Sequence, residues 1–384
     1  MILARGDAAT VPCADLLLLI MENIIGQAGV PFVHQLPPDD GVLPDALFHF
    51  GGDDEGAPGL QTPMSEIMRG LGVGYHVNVM LRDESFHFTE EDRAAYERNG
   101  HEFSLHLNFI DYPDGVEHPA AITEGEYDRQ FRLFVDRYGK TPICVNNHWC
   151  RTSGWADTAR FGAERGALGE NHLVHHHSPP LDPVNLFGTA FGTVYPFFVF
   201  DDADHENRRL DFISVPIGFY EPGAASGERS HPQYGQDPLR PDEYRRVVDL
   251  ACRHGWTLNV FMHPTHMSQE KNKGRQAVEI MLARIGEIGA HVMHVGTDAL
   301  CLWWHARSRT EMALRQDGRL GVQTDHSDGV FLRFRADALP SDARLEVDGA
   351  AVEAQQRERN GRSWRFARLP QGKHTIGFRQ TADG

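Results

Sequence analysis

The stretch Leu47–Gly56, LFHFGGDDEG, decides the fold and poses the functional question. A short apolar run, read as a buried strand, reaches Gly51 and Gly52 and then sets Asp53 beside Asp54. Adjacent carboxylates at the mouth of a buried strand repel one another, so the pair is either a solvated turn or a place for a cation. Downstream, TPMSEIMRGLG reads as a helix and YHVNVML as a strand, and Thr89 opens a helix with Glu91 and Asp92 in its first turn. HEFSLHLNF is the next strand, followed by a helix from Glu124 to Tyr138. TPICVNN, GWADTARFGAERG, DFISVPI, PDEYRRVVDLACRHG, TLNVFMH, GRQAVEIMLARIGEIG and HVMHVGT continue the pattern to Arg307. Strands alternating with helices predict a parallel sheet with crossover helices, an α/β barrel or a doubly wound sheet.

Three units are expected. Residues 1–43 form an N-terminal helical segment packed on a barrel, 44–308 the barrel, and 309–384 a small β-sandwich. The last rests on GVFLRFRA, ARLEVDG, SWRFARL and HTIGFRQ, which alternate apolar and polar residues between turn signals. The segment 182–222 is rich in Phe, Pro and Gly and is expected to form hairpins or long loops. Composition narrows the function. The 384 residues are 41% hydrophobic and 24% charged, as in soluble globular proteins, and no window is long and apolar enough to span a bilayer. The run LLLLIMENIIG from Leu17 lacks a basic leader and a small-residue cleavage site, so it reads as a helix packed on the domain. A net charge of −17 opposes a nucleic-acid or anionic-membrane partner. Five scattered cysteines suit free thiols and a reducing compartment, the cytoplasm.

Histidine is abundant, at 22, and several histidines fall at expected strand ends. In α/β folds the C-terminal ends of parallel strands form the functional face. Asp53 and Asp54, His106, His148, and His263 with His266 each follow a different strand. Asp and His ligands together suit a divalent cation, zinc by default, with cobalt, nickel and manganese as alternatives. The run His175–His177 reads as a loop, since no partner spacing supports it as a metal tract.

FGGDDEG resembles the first motif of the polysaccharide deacetylase superfamily, the carbohydrate esterase family four type. There the first aspartate is the base and the second a metal ligand. NGHEFSLHLNF resembles its second motif and VFMHPTH its late, acid-bearing motif. The resemblance implies a distorted (β/α) barrel with Asp53 as base, Asp54 and His106 as metal ligands and His263 as general acid. His266 competes for the acid role or binds substrate, and His101 is structural. The second motif departs at Ile110, where a further ligating histidine is expected. His148 is the substitute, with Asp111 the alternative. Arg151 stands where an arginine orients the base, and Trp149 and Trp155 are placed to stack on a sugar.

The expected function is metal-dependent hydrolysis that removes an acetyl group from an N-acetylated sugar, with carbohydrate as partner. Hydrolysis of another C–N amide bond on the same barrel, or a catalytically inactive carbohydrate-binding relative, are the competitors. The C-terminal unit could cap the barrel, bind glycan or join two copies of the chain.

Overall fold

The computed structural model describes residues 11–174, 187–224, 239–268, 273–339 and 343–380. The run His175–His177 therefore lies outside the described residues. The strand Ala46–Asp53 is buried at all eight positions. A strand covered on both faces needs a continuous apolar run, which ALFHF provides.

Along one side this strand pairs in parallel with Thr257–Phe261. On its other side it pairs with Val292–Val295 near its start and with His76–Arg82 at its end. His76–Arg82 continues to Glu102–Leu107, then Cys144–Asn147, then Gly169–Glu170, all parallel. Arg208–Ser214 extends the sheet in parallel and Phe197–Asp201 closes that edge antiparallel, while Phe219–Tyr220 forms the opposite edge beside Thr257–Phe261. The result is a curled mixed α/β half-barrel of nine strands along its main path. Because the central strands are parallel, their C-terminal ends share one rim, and Asp53, His106, His148 and His263 lie on or just beyond it.

The helices are where their end signals predict. Thr89 and Asp92 form a reciprocal capping box at the start of Glu90–Arg98. Gly139 and Gly255 end Glu124–Tyr138 and Pro241–His254 in the left-handed conformation. The glycines of FGGDD serve differently from the expected turn, since Gly51 and Gly52 are still strand. A Cβ on Gly52 would lie 1.9 Å from the Met262 carbonyl oxygen, so glycine is what lets the two backbones meet at the rim.

The residues after 309 form antiparallel strands in two sheets, supplying three strands of one four-stranded sheet and all of a five-stranded one. Glu311–Leu314, Leu320–Thr324 and Gln355–Arg359 add strands that the alternation did not single out. The boundary is not clean, because Phe32–Val33 pairs with Leu332 and Arg333 as the edge of the four-stranded sheet. Val322 and Ile376 from one sheet, and Leu332 and Leu369 from the other, share a buried cluster with Leu47 and Trp303 of the barrel. The N-terminal helix, Cys13–Gly26, buries Asp15, Glu22 and Gly26 rather than its leucines, the reverse of what LLLLIMENIIG suggests.

Candidate active site

Asp53 ends its strand with a nearly buried carboxylate. Its Oδ1 accepts hydrogen bonds from Asn78 Nδ2 at 2.8 Å and Asn146 Nδ2 at 3.0 Å. Asn146 also donates to the Asn171 carbonyl, and Asn259 donates to the Asn171 side-chain oxygen at 2.9 Å. A belt of buried amides, three on strands and Asn171 just past a strand end, therefore crosses the lumen and ends on Asp53. Burial pushes the Asp53 carboxyl well above its usual range, and the Asn78 donor works against that shift.

Asp54 is turned away from the rim. Its Oδ1 accepts from the backbone N–H groups of Gly56 and Met80, each at 2.9 Å, and its Oδ2 accepts from Gln61 Nε2 at 3.1 Å. Burial raises this carboxyl to about 7 despite those bonds. The three contacts pin the turn after the strand and leave Glu55 in the left-handed region, with φ of 54°. That conformation strains any residue with a Cβ by roughly 1–3 kcal/mol, and it aims the Glu55 side chain into the cluster. Glu55, not Asp54, therefore stands among the histidines.

Glu55 Oε2 lies 3.0 Å from His148 Nδ1, and His148 Nδ1 lies 3.1 Å from His106 Nε2. One ring nitrogen carries a single hydrogen or a single lone pair, so it cannot serve both neighbours as an ordinary hydrogen bond. Burial holds the His106 ring well below its usual pKa, in the neutral form that ligates metals. Donors held about 2.0–2.1 Å from a tetrahedral ion stand about 3.3 Å apart, close to the separations seen here. The donor set of one carboxylate and two imidazoles thus fits a divalent cation. His106 Nδ1, 3.5 Å from Asp53 Oδ1, and His148 Nε2, 3.9 Å from Glu117 Oε1, have no hydrogen-bond partner.

His263 faces this cluster from the opposite strand. Its Nε2 is 3.0 Å from Glu55 Oε1, and its Nδ1 is hydrogen-bonded to Glu221, which also accepts from the His263 backbone N–H at 3.0 Å. Burial opposes charge on the ring, but Glu221 and Glu55 outweigh it and hold His263 well above the usual histidine range. Glu221 is itself kept low, because His266 and His263 together outweigh its burial. Ligand atoms of Asp53, Glu55 and His263 all lie within 4.8 Å of one another.

The remaining candidates separate. His266 Nε2 lies 3.1 Å from Glu221 Oε2, and Glu221, His263 and His266 form a second group whose ligand atoms lie within 4.8 Å of one another. Arg151 does not reach Asp53. The chain turns with positive φ at Trp149 and Cys150, and the Arg151 guanidinium binds the carbonyls of Phe109 and Ala120. Trp149 is 43% exposed and stacks on His148, whereas Trp155 is 70% exposed and makes no ring contact among the described residues. Ile110 is buried in a two-residue strand with Asp111, and neither joins the histidines. His101 is tied to Tyr75 N and Ser65 O, a structural position.

Glu55 and Glu221 stand in the cluster although the sequence reading does not name them. Glu55 was visible as the third acid of DDEG. Glu221, in FYEPG at a strand end, lies in the segment 182–222 expected to form hairpins or long loops. A cavity of about 410 Å³ opens beside Asn108, Ile110 and Tyr112, and its lining contains none of the cluster residues.

No family model and no curated protein matches the chain. Its structure is similar to a protein inferred to be a polysaccharide deacetylase from Mycobacterium smegmatis, at 14% identity and TM-score 0.46, covering 75% of this chain and 99% of that one. It is similar to a glycoside hydrolase/deacetylase, so inferred, from Parabacteroides distasonis, at 11% identity and TM-score 0.44, covering 85% and 86%. A family 4 carbohydrate esterase from Streptomyces lividans matches at 12% identity and TM-score 0.35, covering 66% and 93%. At these identities and scores, function has to be read from the side chains.

Proposed function

We propose that this chain is a metal-dependent hydrolase that removes an acetyl group from an N-acetylated carbohydrate. The observation that carries the reading is the triangle of Glu55, His106 and His148 donors with a carboxylate base on one side and a protonated histidine on the other. Glu55, His106 and His148 would hold the cation, so Glu55 takes the place first expected of Asp54. When bound, such an ion supplies positive charge that polarises a carbonyl and makes a neighbouring water more acidic.

The chain's own groups divide the proton transfers. Asp53 takes the proton from the attacking water, with Asn78 and Asn146 fixing the carboxylate and favouring its ionised form against burial. Glu221 holds His263 by Nδ1, so the Nε2 proton points into the site and is available to the departing amine. Orientation of the base falls to two amides, in place of the expected Arg151. Trp149, exposed beside His148, offers a surface on which a sugar ring could stack. Carbohydrate is the proposed partner.

Two measurements test this. Elemental analysis of the purified chain should find one divalent ion, and His106→Ala or His148→Ala should lose it. Asp53→Asn should keep the ion and lose acetate release from chitin oligosaccharides. A wild-type chain that takes up no zinc or cobalt would defeat the proposal.

A further inference from the structure

The N-terminal helix Cys13–Gly26 is inverted. Its buried positions, Asp15, Glu22 and Gly26, recur at spacings that keep them on one helical face. Asp15 Oδ2 accepts from Val194 N at 3.1 Å, and Glu22 binds the Arg333 guanidinium. A Cβ at Gly26 would lie 2.7 Å from Arg335 Cδ, so that arginine crosses the helix closely, and its Nη1 donates to the Asn23 carbonyl at 2.7 Å.

The other face is apolar and open. Leu16, Leu17, Leu18, Ile20, Met21, Ile24 and Ile25 are between 40% and 64% exposed. From residue 11 to residue 30 no exposed position carries a charge. Together these side chains present roughly 650 Å² of apolar surface, beyond the few hundred that a monomer usually leaves contiguous. Beside this ridge runs a groove of about 300 Å³, lined in part by Phe32, Val33 and Met312.

We propose that this face is the interface of a two-fold dimer of the chain. Three observations select a second copy. The area approaches the ~800 Å² that each partner gives to a standard interface. A ridge lying beside a groove is self-complementary, as a two-fold axis requires, so the helix of each copy can seat in the groove of the other. The charged groups at the groove already hold hydrogen-bond partners on the inner face, Glu22 with Arg333 and Arg307 with the Val33 and His34 carbonyls, so closing the interface strands none of them. Lipid fits less well. The helix has no Lys or Arg to meet headgroups, and the net charge of −17 repels anionic surfaces.

The test is the solution mass of the full chain by sedimentation equilibrium at micromolar concentration. Wild type should sediment at twice 43.1 kDa. Leu17→Glu/Ile24→Glu, and the milder Leu17→Ser/Ile24→Ser, should fall to the monomer mass with unchanged circular dichroism. A monomeric wild type, or a dimer that survives both double variants, would overturn the proposal. So would a monomer that co-sediments with phosphatidylcholine vesicles through the same residues, which would give the face to lipid.

Discussion

Adjacent acids with opposite duties can be separated by experiment. Asp54 accepts three hydrogen bonds from buried or nearly buried donors, Gly56 N, Met80 N and Gln61 Nε2. Asp54→Ala orphans all three, at roughly 1–3 kcal/mol each less whatever water recovers, so a loss of about 4 kcal/mol is expected. Glu55 has a side chain 35% exposed, and its partners His148 and His263 keep other acidic neighbours, Glu117 and Glu221. In chelator, Glu55→Ala should therefore change stability by less than about 1 kcal/mol. Metal content should divide the pair the other way, with Glu55→Ala losing the ion even though its fold is intact. Urea unfolding in chelator and elemental mass spectrometry on the same preparations read both quantities. Equal destabilisation of the two variants, or full metal content in folded Glu55→Ala, would refute the assignment of ligand to Glu55 and pin to Asp54.

Two further outcomes follow from the geometry. Burial pushes the Asp15 carboxyl up to about 6, above its unfolded value of 3.8, against the Thr193 and Val194 hydrogen bonds. The native chain then holds the extra proton between those values, so stability should fall as pH rises from about 4 to about 6. Asp15→Asn should flatten that part of the stability curve by about 2–3 kcal/mol, measured by denaturant midpoints across the range. Gly52→Ala would press a Cβ to within 1.9 Å of the Met262 oxygen. It should cost about 3 kcal/mol or more, seen as a lowered unfolding midpoint, and unchanged stability would show that the strands can part at no cost.

Much of the barrel was legible because its signals are local. Apolar runs such as ALFHF and TLNVF, and end signals such as Thr89 and Gly255, depend on a few neighbouring residues. The site was legible only as far as position along a strand determines direction. His106 lies inside a strand, His148 directly follows one and His263 stands two residues past one, so their placement on the rim follows from the strands. Beyond the strand ends, direction depends on the sign of φ. The left-handed conformation at Glu55 brings that carboxylate, and not the one of Asp54, among the histidines, and the reversal at Trp149 and Cys150 carries Arg151 off to a distant loop. The N-terminal helix was found but its facing was not. Hydropathy says that leucines prefer burial, while only the positions of Val194, Arg333 and Arg335 show that the polar side is held.

The amides that cross the lumen give the barrel a way to sense its own girth. Asn78, Asn146 and Asn259 stand on separate strands and Asn171 just past the end of a fourth, and two of the four grip the same oxygen of Asp53. Should any one of those strands slip, or the half-barrel spread, the carboxylate would rotate before the hydrophobic layers outside noticed. Substitutions on the outer helices that leave the melting temperature alone would therefore still disturb the Asp53 carboxylate, and a probe of the Asp53 environment would report strain in the cylinder earlier than any measure of global unfolding.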